Sequence, residues 1–480
     1  MNRQTIRQCS RALPPLAALW LAGCAIPHDR PMLRPLGSVQ VGLANAVIGQ
    51  AMSNHWWTDL NDPQLDRIMA DALSANPSLD AAMARVRAAQ ASIAIDKAGL
   101  APQIDADASE ERERLSGKYI IPPPYAGSTR WVGSAQTSLD WNLDLAGRQK
   151  ALVALARNSA DATHYDLAAA RLTIAGSVAQ MYVNLALADA QIRIADQFVA
   201  SRQRSLDLAR SRVRNHLVGD FDLRAAETLL AEAEQARIRA AGDRDLMVHA
   251  LAALAGRGID YYPSIQTPTL SFDTALPLPK AIPADLLGRR PDILAAQARI
   301  AAADAGRRVA KAEFYPNVDI RAFVGVSALG LGALFTGGAV TGGGGPAIHL
   351  PIFEGGRLKA QYRGAVAESD IAIADYNRLV VWSVRETADA LTSIETNSAD
   401  AAAQRRVVAG LEETVRLDSV RVRTGLGTQL DVLDADDRRL SAAQAQANIQ
   451  AEGVNRRIQL AVALGGGFAP DLPTPSASAN

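Results

Sequence analysis

A proline-bracketed helix occurs twice in this chain, as PSLDAAMARVRAAQASIAIDKAGLAP at 77–102 and as PDILAAQARIAAADAGRRVAKAEFYP at 291–316. Arg85 and Arg299, and Lys97 and Lys311, fall in register. Self-similarity on this scale constrains the fold more than any local propensity, because each unit is expected to pack with its like. The repeat continues with a slightly different offset: GRQKA at 147–151 returns as GRLKA at 356–360, and RVRNHLVGDFDL at 212–223 returns as RVRTGLGTQLDV at 421–432. The chain therefore reads as two similar halves, 61–260 and 284–465. Each runs helix, two strand-like segments around a loop, a very long helix, a tight turn, and a helix. Between them the prolines of YYPSIQTPTLSFDTALPLPKAIP at 261–283 deny a continuous helix and mark a linker. Residues 466–480, ending PTPSASAN, read as a disordered tail.

In the first long helix Val178, Leu185, Ile192, Val199, Leu206 and Val213 recur every seven residues, with Ile174, Met181, Ala188 and Ala195 at companion positions. That is a coiled-coil seam. From Gln149 to Asn215 such a helix is about 100 Å long at 1.5 Å per residue, taller than a globular core. A weaker seam runs through Ile394, Ala401, Val408, Val415 and Val422. Helical hairpins are expected over about 147–256 and 356–465.

Four segments change the period. WVGSAQTSLDWNL at 131–143 sets Trp131, Gly133, Ala135, Thr137, Leu139, Trp141 and Leu143 on one face, with Ser134, Gln136, Ser138, Asp140 and Asn142 on the other. The segment at 103–115, VDIRAFVGV within 317–327, and AIHLPIF at 347–353 are the other candidates. About 10 residues with aromatic ends suit strands crossing an outer membrane. Pro102 and Pro316 stand where helix gives way to strand. From Ala322 to Leu350 there is no Asp, Glu, Lys or Arg, so a transmembrane helix competes; nine glycines between 325 and 345 weigh against it, at about 1 kcal/mol each relative to alanine. Four strands cannot close a barrel, and an open edge in lipid leaves backbone groups unsatisfied. Other copies of the chain must complete it. Three copies give twelve strands and six helical hairpins. The fold class expected is an α+β membrane protein, in which an antiparallel coiled-coil helical barrel continues a trimeric twelve-stranded β-barrel.

Arg3, Arg7 and Arg11 precede a short apolar run ending LAGC at 21–24. The run is too short to span a bilayer, and it resembles a bacterial lipobox. Residues 1–23 are then a signal peptide, and 24–60 a lipid-anchored segment carrying diacylglycerol and an N-acyl chain on Cys24. Ala25, rather than Asp, after the cysteine resembles sorting to the outer membrane. Basic and acidic residues balance at 50 each, which leaves no electrostatic footprint for nucleic acid. Two cysteines, Cys9 and Cys24, leave the rest without a disulfide framework or thiolate metal site. No metal or other cofactor is expected. H-E-x-x-H, G-x-x-x-x-G-K-[ST], G-x-S-x-G and G-x-G-x-x-G are all absent from the sequence, so catalysis and nucleotide binding have no motif.

WWTDLNDPQLDRIMADAL at 56–73, LLGRRPDILAAQARIAAADAGRRVAKAEFYPNVDI at 286–320, LPIFEGGRLKAQ at 350–361 and RTGLGTQLDVLDA at 423–435 resemble the TolC-type outer-membrane efflux proteins, and the lipobox resembles their OprM/NodT branch. The resemblance implies a homotrimeric channel that docks on a periplasmic adaptor and an inner-membrane pump, often of the resistance–nodulation–division class. It implies docking tips at Leu217 and Gly219 in the first turn and at Gly425, Leu426 and Gly427 in the second. It also implies a ring of carboxylates closing the periplasmic mouth, with Asp431 and Asp434 in the second half and Asp222 in the first, where Ala225 replaces the second acid. Thr428-x-x-Asp431 equally fits a capping box, and glycine in a turn equally serves positive φ. Type I protein secretion uses the same architecture; a periplasmic coiled-coil scaffold lipoprotein without a pore is the alternative of a different class.

Overall fold

The computed structural model describes residues 29–43, 52–118, 120–273, 276, 281–283 and 285–468. Cys24 and the segment 1–23 lie outside the described residues. Helices α1 (Pro63–Ala75) and α2 (Pro77–Ala98) lead into strands β1 (Gln103–Arg114) and β2 (Thr129–Asn142), followed by helices α3 (Arg148–Arg214) and α4 (Asp220–Leu254). The second half gives α5 (Pro291–Ala312), β3 (Asn317–Leu329), β4 (Val340–His349), α6 (Arg357–Arg423) and α7 (Gln429–Ala463). The repeat holds to the residue: α2 and α5 have 22 residues each, α3 and α6 have 67, and α4 and α7 have 35. Pro77 and Pro291 occupy the first helical position, where a missing N–H costs nothing.

Two compact units share these elements. One comprises residues up to Pro35, Val86–Thr163 and Ala296–Tyr376; the other comprises Leu36–Arg85, His164–Ala295 and the chain from Asn377. The first unit holds one antiparallel sheet in the order β1-β2-β3-β4, with β1 and β4 at its edges. Its register sorts the side chains cleanly, because neighbours on a strand point to opposite faces. Ile104, Ala106 and Ala108 stand opposite Leu139, Thr137 and Ala135, which stand opposite Ala322, Val324 and Val326. Val324 and Ile348 on this apolar face are 61% and 71% exposed. Glu110, Arg112 and Arg114 bring charge to it only toward the end of β1 remote from α2. The other face carries Asp105, Asp107, Glu111, Glu113, Asp140 and Asp319, against Arg130 and Arg321; Arg321 pairs with Asp140 at 3.2 Å.

The fourth strand corrects the sequence reading. It runs through VTGGGGPAIH, the glycine stretch expected as a loop, and the expected LPIF portion at 350–353 lies beyond it. Ladder pairing with β3 outweighs the poor strand propensity of glycine. The glycines also make room: a Cβ on Gly343 would lie 3.1 Å from the Phe323 ring, and one on Gly344 would lie 3.1 Å from the Ala322 methyl. Pro346, which has no N–H, is tolerated because β4 is an edge.

In the second unit, Trp56, Leu60, Leu65, Ile68 and Met69 pack on Val178, Tyr182 and Leu185 of α3, Leu251 of α4, and Val454 and Ile458 of α7. Each such side chain contributes about 1.5–3 kcal/mol on burial. The expected seam is dry where Val178, Leu185 and Leu206 lie and half-buried at Ile192, Val199 and Val213; Ile394, Ala401, Val408, Val415 and Val422 are all half-buried. The linker is irregular, as expected, yet it is strapped down: Ile265 and Leu276 are buried in the core, and the Thr269 amide donates to Asp62 at 2.8 Å. The chain is also packed through Phe468, whose ring stands edge-on to Tyr165, so residues 466–468 do not belong to a tail. The RRPD block ties three elements: the Arg290 guanidinium reaches Asp292 at 2.8 Å, Glu386 of α6 at 2.6 Å and the Ala463 carbonyl of α7 at 2.9 Å.

Asp62 caps α1 through the Gln64 amide and also receives the Thr269 amide and hydroxyl. Burial pushes its carboxyl up, but the hydrogen bonds from Tyr182, Thr269 and Gln64 together hold it below the ordinary 3.8. A depressed carboxylate contributes stability that is complete above its unfolded pKa and is lost as pH falls through the folded one. Asp62→Ala is expected to cost about 2 kcal/mol, from a lost cap and an orphaned amide, read as a lower thermal midpoint by circular dichroism. The gap between wild type and variant should shrink as pH drops below about 4.

Candidate gate and docking tips

Both helical turns belong to the second unit. After α6, the Gly425 amide donates to Val422 and the Leu426 amide to Arg421, closing the helix with Gly425 at φ +74°. After α3, the His216 amide donates to Val213 and the Leu217 amide to Arg212, with His216 at φ +56°. The two turns thus share one backbone shape, a left-handed residue that stops the helix, although only the second supplies glycine for it. Gly219 and Gly427 do not take positive φ. Gly427 is explained by space, since a Cβ there would lie 3.1 Å from that of Arg421; around Gly219 nothing lies within 4 Å. Leu217 and Leu426 stand out at 68% and 74% exposure.

Asp431 makes the capping box of α7: the Thr428 amide donates to its Oδ2 at 2.8 Å, and its own amide donates to the Thr428 hydroxyl at 3.3 Å. The Thr428 amide, and after it the hydroxyl, hold the Asp431 carboxyl below the usual range. Asp434 is exposed on the next turn, with no hydrogen bond or ion pair among the described residues. Asp222 is exposed in the first turn of α4, whose cap, Gly219, offers no side chain. Within the described residues no polar contact joins Asp222 to either of the other two.

What the sequence reading missed lies one turn farther along α7. Arg202 of α3 pairs with buried Asp437 at 2.8 Å, and Arg204 with Asp436 at 3.4 Å. Arg439 also holds Asp436, at 2.8 Å. Burial pushes the Asp437 carboxyl up, and Arg202 pulls it the other way. The signal was present in DADD at 434–437 facing SRQR at 201–204, but only Asp434 matched the resemblance. These pairs clamp a helix of the first repeat to one of the second. Among the described residues, the ion pairs nearer the tips, Arg210–Asp207, Arg224–Glu227, Arg416–Glu413 and Arg421–Asp418, each stay within one helix.

A four-stranded antiparallel sheet with one apolar face and two repeated helical hairpins define a class of two-repeat, long-helix proteins. The chain belongs to the outer membrane efflux protein family, whose model matches residues 68–257 and 282–466, the two halves of the repeat. It is similar to the outer membrane protein VceC of Vibrio cholerae, whose crystal structure superposes with a TM-score of 0.79 at 32% identity, over 88% of this chain and all of that one. It is 30% identical to the solvent efflux pump outer membrane protein SrpC of Pseudomonas putida over 469 residues, 95% of this chain and 98% of that protein. The fusaric acid resistance protein FusA of Burkholderia cepacia is 40% identical over 318 residues, which are 65% of this chain and 59% of that protein.

Because alanine is strained at positive φ, Gly425→Ala is expected to destabilise the second tip by about 1 kcal/mol. His216→Gly relieves a similar strain at the first tip. Amide hydrogen exchange over 211–223 and 420–432 should show faster exchange in the first variant and none in the second.

Proposed function

We propose that three copies of this chain form a passive exit duct in the bacterial outer membrane, serving an adaptor and an inner-membrane pump of the resistance–nodulation–division class. The observation that carries this reading is the pair of open edges, β1 and β4, on a sheet whose apolar face is exposed. Strands of 10 to 14 residues are long enough to cross the hydrocarbon when tilted. Edge joining edge in a ring of three satisfies every ladder and turns the acidic face inward. The names of SrpC and FusA, which refer to solvent efflux and to fusaric acid resistance, support small organic molecules as cargo.

Attachment to the membrane through acylated Cys24 is part of this reading. The Tyr362 hydroxyl donates to the Asp29 carbonyl at 3.0 Å, within two turns of the start of α6 that follows β4.

Closure at the periplasmic end falls to Asp431, Asp434 and Asp222, with Leu217, Gly219, Gly425, Leu426 and Gly427 as the adaptor's contacts. Like charges crowded around one axis repel, so closure has to be held by the helices. The Arg202–Asp437 clamp holds the hairpins of one protomer together just above that level, and below it the tips carry no interhelical ion pair among the described residues. An adaptor engaging Leu217 and Leu426 can then splay the tips about the clamp.

Planar-bilayer recording is the test. Single channels should favour potassium over chloride, from the acidic inner face, and Asp431→Ala with Asp434→Ala should raise conductance severalfold. Unchanged conductance and selectivity in that double variant removes the gate assignment. No conductance from any preparation favours the scaffold lipoprotein.

A further inference from the structure

We propose that a basic groove beside the α3–α5 seam seats the phosphate of an anionic phospholipid from the leaflet facing the helices; this rests on the outer-membrane reading above. The groove, about 530 Å³ in volume, is lined by Leu145, Lys150, Ala154, Arg308, Lys311 and Tyr315, and no carboxylate lines it. Lys150 and Lys311 are exposed, and their ammonium groups have no hydrogen bond or ion pair among the described residues, although the Lys150 amide donates to Asp144 at 3.0 Å. Arg308 has only the distant Asp304 carboxylate, at 3.7 Å. Two ammonium groups without a matching anion and a loosely paired guanidinium, lining one concavity, are the complement of a phosphodiester.

Its level identifies the source of that phosphate. A second groove on the same seam is lined by Asn142, Asn317 and His349, all from the polar face of the sheet, and is crossed by the Arg148–Glu313 pair at 3.4 Å. The basic groove contains none of these polar side chains, although the two grooves share Ala146, Ala312 and Tyr315. Lys150 is in the first turn of α3 and Lys311 in the last turn of α5, each within a turn or so of the strand ends. One helical turn is about 5.4 Å, and a headgroup layer is about 5–7 Å deep beside a core of about 30 Å. Exposed Trp141, Tyr315 and Ile348 mark the boundary, as amphipathic rings do at membrane interfaces.

The internal repeat supplies the two lysines a second time, with Ala94 at the position of Arg308. Lys359 matches Lys150, Lys97 matches Lys311, and both are exposed. In the first unit α2 touches α3 through Gln149 and the Asp96 carbonyl, α3 touches α5 through Leu155 beside Gly306, and α5 touches α6 through Phe314 and Tyr362. In a closed ring α6 of one copy therefore meets α2 of the next, bringing Lys359 beside Lys97 of the neighbouring copy.

The experiment uses the full chain purified as its assembled form in detergent, with lipid retention read by native mass spectrometry and conductance recorded on the same preparation. Phosphatidylglycerol should be retained in preference to phosphatidylcholine. Replacing Lys97, Lys150, Lys311 and Lys359 by Gln should lower that preference by about tenfold or more, while replacing the four by Arg should preserve it. If the Gln variant does not assemble, Lys150→Gln with Lys311→Gln is read in the same way, with a partial loss expected. Equal retention of the two lipids by wild type, or an undiminished preference in the Gln variants, overturns the assignment while conductance still stands. Displacement of phosphatidylglycerol by equimolar inorganic phosphate assigns the groove to free anions and also overturns it. Loss of conductance and of assembly in wild type sinks the channel reading instead.

Discussion

A backbone N–H or C=O that faces hydrocarbon without a partner costs several kcal/mol, and β1 and β4 each present a full row of them. In water such edges are a liability that soluble proteins blunt with charge, bulges or short strands. Here β4 is glycine-rich and without charge, and the proposed assembly pairs it. The rest of the molecule follows from that demand. In the proposed assembly lipid covers the bare apolar face, and the acidic face meets water that a closed ring of strands encloses.

The repeat answers a geometric problem that the sheet alone leaves open. A ring of helices that continues a ring of strands needs neighbours of nearly equal length, and α3 and α6, like α4 and α7, match to the residue. Equality ends at the functional positions. Gly425 relaxes one tip where His216 strains the other, and a capping carboxylate with a second acid at Asp434 stands where the first hairpin has Asp222 and Ala225. On the proposed reading the hairpins are therefore equivalent as wall and inequivalent as gate, with the Arg202–Asp437 pair one turn above the positions that differ.

The long helices, their proline starts and three of the four strands were legible in the sequence, because a period of seven, a period of two and a helix-breaking ring are local signals. β4 was not, since glycine carries no periodicity and the strand exists through its ladder with β3. The linker looked free because proline excludes helix, yet its hold on the core comes from contacts distant in sequence, such as Thr269 to Asp62. Asp431 was legible as a cap from its spacing and as a gate residue through the resemblance, and the capping box is present in the structure. The Arg202–Asp437 pair joins positions far apart in the chain, and no spacing rule points to it.

Everything turns on whether separate copies complete one sheet. The most direct measurement is hydrogen exchange of the β1 and β4 backbone amides in detergent-solubilised protein whose mass is determined alongside. A three-copy assembly in which both edge strands exchange as slowly as β2 and β3 is the expected result. A single-copy species whose β1 and β4 amides exchange freely, while β2 and β3 stay protected, would contradict a barrel closed between chains.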